Sequence, residues 1–220
     1  MSAMGRSPTA RAAAPGFLAL ALVAAALALP VPARAQGELA SLVQWVRTTG
    51  DNQGTPFAVV DKKGARVHVF DAHGKERASA PILLGLARGD DTVPGIGDRP
   101  MAQIRPEERT TPAGRFATEP GRNLQGEDIV WVDYDAAVSM HRVRATNPAE
   151  RRLQRLATPS VEDNRISYGC INVPASFYDA HVKPTLGRHP GVVYVLPETR
   201  PLAAVFGIGT PVGATPVAQR

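Results

Sequence analysis

Phe57–Asp61, Arg66–Phe70 and residues 77–86 read as successive strands, separated only by the turns Lys62-Lys63-Gly64 and 71–74. Turns that short hold no helical crossover, so neighbouring strands must run antiparallel. The expectation is a β-meander with no parallel sheet, opening a mainly β fold (a β-sandwich or meander) with a few short helices. Strand signals return at 115–118, 129–134, 136–141 and 192–196. Helical signals are brief. Leu39, Leu42, Val43 and Val46 follow the i, i+3, i+4, i+7 pattern, Pro leads a stretch at 148–156, and 174–181 is a further candidate. Residues 87–114 are dense in Gly, Pro, Asp and Arg, a long loop of the kind that serves as a lid or binding loop.

The first 35 residues read as an export signal rather than as part of the fold. Arg6 and Arg11 form a basic start, residues 17–29 are apolar, and Ala33-Arg34-Ala35 supplies a small-x-small cleavage pattern. The apolar run of 13 residues is too short to span a hydrocarbon core of ~30 Å. There is no twin arginine and no cysteine near the cleavage point, which points to a Sec-type signal without a lipid anchor. The plan is then a signal peptide at 1–35, a helix and linker at 36–55, one domain at 56–197, and a poorly ordered Pro/Gly-rich tail at 198–220. The expected compartment is the periplasm, with no membrane contact after cleavage and a monomeric protein. The signal carries three arginines and no acidic residue, so the formal charge of +5 falls to +2 without it. No basic run with interleaved aromatics is present, and nucleic acid is excluded as a partner.

Cys170 is the single cysteine. In an oxidising compartment a lone thiol is inert and buried, bridged to another chain, or reactive. Its surroundings favour the last: Ile166-Ser167-Tyr168-Gly169-Cys170-Ile171-Asn172 is small and polar, a poor core segment. A thiol needs a base within reach to form a thiolate near neutral pH. His141, ending a predicted strand at the mouth of a loop, is the candidate. The backbone N–H groups of Gly169 and Cys170 are candidates for holding an oxyanion.

These residues resemble the catalytic domain of the YkuD-type L,D-transpeptidases. That family carries a histidine at a strand end and then a Ser/Thr-His-Gly-Cys-x-Asn/Arg segment, matched here by His141, Ser167, Gly169, Cys170 and Asn172. A Thr-Pro-x-Gly-x-Phe segment is matched by Thr111, Pro112, Gly114 and Phe116, and the likeness runs over roughly 56–197. Two departures stand out: Tyr168 replaces the histidine before Gly-Cys, and the stretch 143–165 is longer than the family norm. Tyrosine, with a pKa of ~10, cannot act as imidazole near neutrality.

The resemblance implies a peptidoglycan L,D-transpeptidase forming 3→3 cross-links, with stem peptides as substrate and neither metal nor organic cofactor. It implies Cys170 as nucleophile and His141 as general base and acid, oriented by the Arg142 backbone carbonyl. Tyr168, Gly169 and Cys170 would offer oxyanion N–H groups, and Ser167, Asn172 and Tyr168 would line the substrate or brace the loop. The alternatives are an L,D-carboxypeptidase or cross-link-cleaving peptidase on the same scaffold, and a wall-binding domain without activity. Arg105, Arg109 and Arg115 are candidates for stem-peptide carboxylates or for a solvated loop. His68, His73, His181 and His189 fall outside the motif, and Trp131 and Tyr134 are expected in the core. No paired-Cys or H-x-x-x-H spacing indicates a metal site.

Overall fold

The computed structural model describes residues 33–208. Most of the expected export signal and the end of the tail lie outside these residues. Helix α1 (Ala33–Thr49) leads into ten strands: β1 (Phe57–Asp61), β2 (Arg66–Phe70), β3 (Glu76–Pro81), β4 (Leu84–Gly85), β5 (Gly114–Arg122), β6 (Asp128–Asp133), β7 (Val138–Arg142), β8 (Arg165–Ser167), β9 (Ile171–Val173) and β10 (Gly191–Val195). Eight of them form one sheet in the order β3-β2-β1-β10-β5-β6-β7-β9, and β4 pairs with β8 in a small second sheet. The chain leaving edge strand β3 returns to the other edge: Ile82 N–H donates to Ala65 O, and Leu83 bridges Asn172 of β9.

The central strands are buried on both faces, and alternation assigns their side chains to two cores. Ala58 and Val60 join Val193, Val195, Val130, Met140, Ile171 and Val173 in the larger one. Phe57 and Val59 turn the other way, to Leu42, Val46, Phe70 and Tyr194. Helix α1 closes that second core with Leu42 and Val46, which are 0% and 1% exposed.

The expectation of no parallel sheet is corrected. β1 pairs in parallel with β10, β7 with β9, and β4 with β8. Each return is made by a long multi-element excursion rather than one crossover helix, which the short turns around β2 do not reveal. The strand expected over 77–86 is two strands in different sheets, because the chain leaves β2 after Pro81 to bridge β9 and β8. The helix expected over 148–156 breaks at Arg151, whose φ of 51° lies in the left-handed region, leaving a 3₁₀ turn and helix α2 (Arg152–Ala157). The start of the expected tail is folded: Leu202–Phe206 is helical, and Leu202 and Phe206 pack on the second core. Trp131 and Tyr134 are not core residues; their rings pair at 5.1 Å and Tyr134 is 75% exposed.

The expected lid, 87–114, gives way to β5 at Gly114 and is built on three 3₁₀ turns at Ile96–Asp98, Met101–Gln103 and Pro106–Glu108. A buried ion network anchors its start. Lys62 Nζ donates to Asp90 Oδ1 at 2.8 Å and to Thr111 O at 2.9 Å, and neither the Lys62 nor the Asp90 side chain has solvent exposure. Glu198 adds a backbone bond to Asp90 and an ion pair with Arg165 of β8. Charges buried this deeply persist only when their partners are in place.

Candidate active site

Strand alternation creates the site. Along β7, Val138 and Met140 enter the larger core, so Ser139 and His141 face the opposite way. β9 lies beside β7 in parallel, with His141 in register with Asn172. Cys170 immediately precedes β9 and is half-buried against Ser139 and His141. Its Sγ lies 3.7 Å from Ser139 Oγ and 3.7 Å from Ala137 O.

His141 Nδ1 lies 2.7 Å from Arg142 O. A carbonyl only accepts, so the neutral ring carries its proton on Nδ1, leaving Nε2 as the acceptor. The other group acting on the ring is the Cys170 thiol. The electrostatics are reciprocal. Burial opposes protonation of His141, but the Cys170 hydrogen bond and charge, with the Arg142 carbonyl, outweigh it and raise its pKa. Burial alone would push the Cys170 thiol up, but His141 and hydrogen bonds from Ser139 bring it below its ordinary value. This mutual shift favours a thiolate–imidazolium pair.

The loop carrying Cys170 is braced from three sides. Within it, Ser167 Oγ donates to Cys170 O at 2.6 Å and accepts from Gly169 N at 3.1 Å. From the lid, Thr111 Oγ1 donates to Gly169 O at 2.8 Å and accepts from Gly85 N at 2.9 Å. Gly169 has φ +128°, and a Cβ there would sit 2.9 Å from Thr110 O, so both conformation and space require glycine. From the 143–165 segment, Arg152 donates to Asn172 Oδ1 at 2.6 Å, and Asn172 Nδ2 donates to Cys170 O at 3.1 Å. Above the loop, the Arg109 guanidinium carbon stands 3.9 Å from the centre of the Tyr168 ring, a cation–π stack.

The structure brings Cys170, His141, Arg142 O, Ser167, Tyr168, Gly169 and Asn172 into one place, and it corrects two of the expected contacts. The Gly169 N–H is committed to Ser167 Oγ, so it does not face an oxyanion. The Tyr168 and Cys170 N–H groups have no hydrogen-bond partner among the described residues. Ser167 and Asn172, 3% and 1% exposed, brace the loop, the second of the two roles expected of them. Arg115 is taken up by Asp51 and Arg105 by Glu107 and Glu108, away from the thiol. Arg109, held to Ile104 O and Tyr168, is the lid arginine at the site.

Sequence reasoning missed Ser139, Thr111 and Arg152. Ser139 stands two residues before His141 on a strand, a spacing that puts both on one face. Thr111 was visible only as a motif residue, and nothing in the sequence marked Arg152. Among the described residues no group of three His, Cys, Asp or Glu side chains could hold a metal ion, and no helix is long and apolar enough to cross a membrane.

No family profile and no curated protein matches the sequence. Among solved structures, the fold is similar to that of the LD transpeptidase LdtMt1 in complex with imipenem, at 17% identity and a TM-score of 0.36. The similarity covers 64% of this chain and 58% of that one, so the chain spans less than two thirds of its neighbour's length.

Proposed function

We propose that the chain is a cysteine-dependent acyltransferase of the L,D-transpeptidase type, exported to the periplasm and acting on peptidoglycan stem peptides. The observation that carries the reading is the line from Arg142 O through the His141 ring to the Cys170 thiol, with the proton affinities of imidazole and thiol shifted toward each other. A binding module has no use for such a pair. Cys170 gives its proton to His141 Nε2, and the thiolate attacks the carbonyl of the third residue of a stem tetrapeptide. The Tyr168 and Cys170 N–H groups receive the oxyanion. The C–N bond to D-alanine then breaks, and the leaving amine takes the proton from His141. The side-chain amine of a second stem attacks the thioester, passing its proton to His141, and a 3→3 cross-link forms with the thiolate restored. His141 thus serves as base and acid in turn.

Incubating the protein freed of residues 1–35 with a disaccharide-tetrapeptide, with products followed by mass spectrometry, tests this. A cross-linked dimer with loss of D-alanine is the expected product. A tripeptide monomer alone would assign the scaffold to an L,D-carboxypeptidase, with water as acceptor. No turnover, together with no carbapenem adduct on Cys170, would refute both.

A further inference from the structure

The 143–165 segment does more than wall the cleft. Its helix α2 begins with Arg152, whose Nε donates to Glu150 Oε2 at 2.5 Å and whose Nη1 donates to Asn172 Oδ1 at 2.6 Å. Asn172 is the strand neighbour of His141 and donates in turn to Cys170 O at 3.1 Å. One guanidinium therefore touches the residue that links the two partners of the thiol–imidazole pair. Its side chain is only 15% exposed, so its charge is poorly screened.

We infer that Arg152 is a positioning residue of the Cys170–His141 pair, fixing the Asn172 carboxamide against the Cys170 carbonyl and holding a positive charge beside the imidazole. The inference rests on the pairing proposed above. The charged or titratable groups that bear on the His141 ring are Cys170 from the nucleophile loop and Arg152 from the 143–165 segment, and Arg152 is itself paired with Glu150. The Arg142 guanidinium is occupied by Asp128 and Asp179. Burial and the Arg152 charge oppose protonation of His141, whereas Cys170 and the Arg142 carbonyl favour it. A general base works best when its proton affinity lies near the operating pH. Arg152 works against the larger upward pull of Cys170 and so limits how basic His141 becomes beside the thiolate. Glu150, by neutralising part of that charge, tunes the effect in the opposite direction.

The test is the titration midpoint of His141, followed by NMR of its ring protons in the full chain, in wild type, R152Q, R152K and E150Q. R152Q should raise the midpoint by about half a unit, roughly a threefold gain in proton affinity. E150Q should lower it by a similar amount, and R152K should leave it near wild type. Opposite shifts cannot come from general loosening of the segment. If R152Q fails to fold, the downward shift in E150Q and the unshifted R152K carry the test. An unmoved midpoint in E150Q, or shifts in the same direction for R152Q and E150Q, would overturn the inference. Alkylation of Cys170 by iodoacetamide in H141A is the control for the underlying reading. If removing His141 leaves that rate unchanged across the pH range, the thiol–imidazole pairing itself fails, whatever Arg152 does.

Discussion

Gly169→Ala concentrates two costs at one atom. The residue adopts φ +128°, where an L side chain is strained, at about 1–3 kcal/mol. The added Cβ would lie 2.9 Å from Thr110 O, where ordinary contact begins at 3.4 Å. The neighbour is backbone, held on either side by the bond from Ala87 N to Arg109 O and by Thr111 Oγ1 on Gly169 O. Relief therefore requires the lid and the nucleophile loop to move apart, and overpacking of this kind costs about 1–3 kcal/mol. The sum of about 2–6 kcal/mol is a large part of a typical domain's stability. Urea unfolding followed by circular dichroism measures it directly, and iodoacetamide alkylation of Cys170 reports the loop. The midpoint should fall, and the thiol should lose its enhanced reactivity near neutral pH. A Gly169→Ala protein within about 0.5 kcal/mol of wild type, with unchanged alkylation, would refute the reading of this contact as an enforced close approach.

Three further outcomes follow from the same structure. Cys170 titrates below its ordinary range because His141 outweighs burial, so alkylation should persist well below the usual thiol value of ~8.5; in His141→Ala the rate near pH 6.5 should drop at least about tenfold. Asp90→Asn leaves the buried Lys62 charge with only the more distant Glu198 carboxylate, 3.8 Å away, at up to about 3–5 kcal/mol, read as a lower urea midpoint. Burial alone would raise the Asp90 carboxyl, but Lys62, the Thr199 hydroxyl and the Glu198 and Arg200 N–H groups hold it well below the carboxylate range. The stability it supplies is thus complete above about pH 4 and lost as the pH falls further, so the acid sensitivity of wild type should shrink in Asp90→Asn. Leu42→Ala, removing a side chain with no solvent exposure from under α1, should cost about 2–5 kcal/mol in the same assay; a loss under about 1 kcal/mol would show α1 to be an appendage.

What the sequence revealed follows how locally each feature is determined. β1 and β2 were legible to the residue because their turns and alternation are local, and α1 because Leu42 and Val46 repeat at helical spacing. β8 and β9 were not, since three residues carry no readable period. The parallel pairing of Phe57 with Val192 depends on everything between them. At the site, Cys170 and His141 were legible as residue types that chemistry singles out. Their neighbours were not: Arg152 reaches Asn172 only because His141 and Asn172 fall in register and the chain reverses handedness at Arg151. Ser167 and Asn172 were found with two roles open, because a sequence does not distinguish a polar residue facing a ligand from one sealed beneath the loop.

The pairing of β1 with β10 also orders assembly in time. β10 sits between β1 and β5 in the middle of the large sheet, although it comes last in chain order among the described strands. Before residues 191–195 dock, the chain can form the β1–β3 meander and the β5–β7 meander, each ending in an open, hydrogen-bond-hungry edge. Neither half can bury its central face until residues 191–195 arrive and close the gap. Such non-local closure folds slowly, on a scale of ms to s. The cleft around Cys170, whose β9 wall hangs on the second of those halves, therefore depends for its final setting on a strand 20 residues further along the chain.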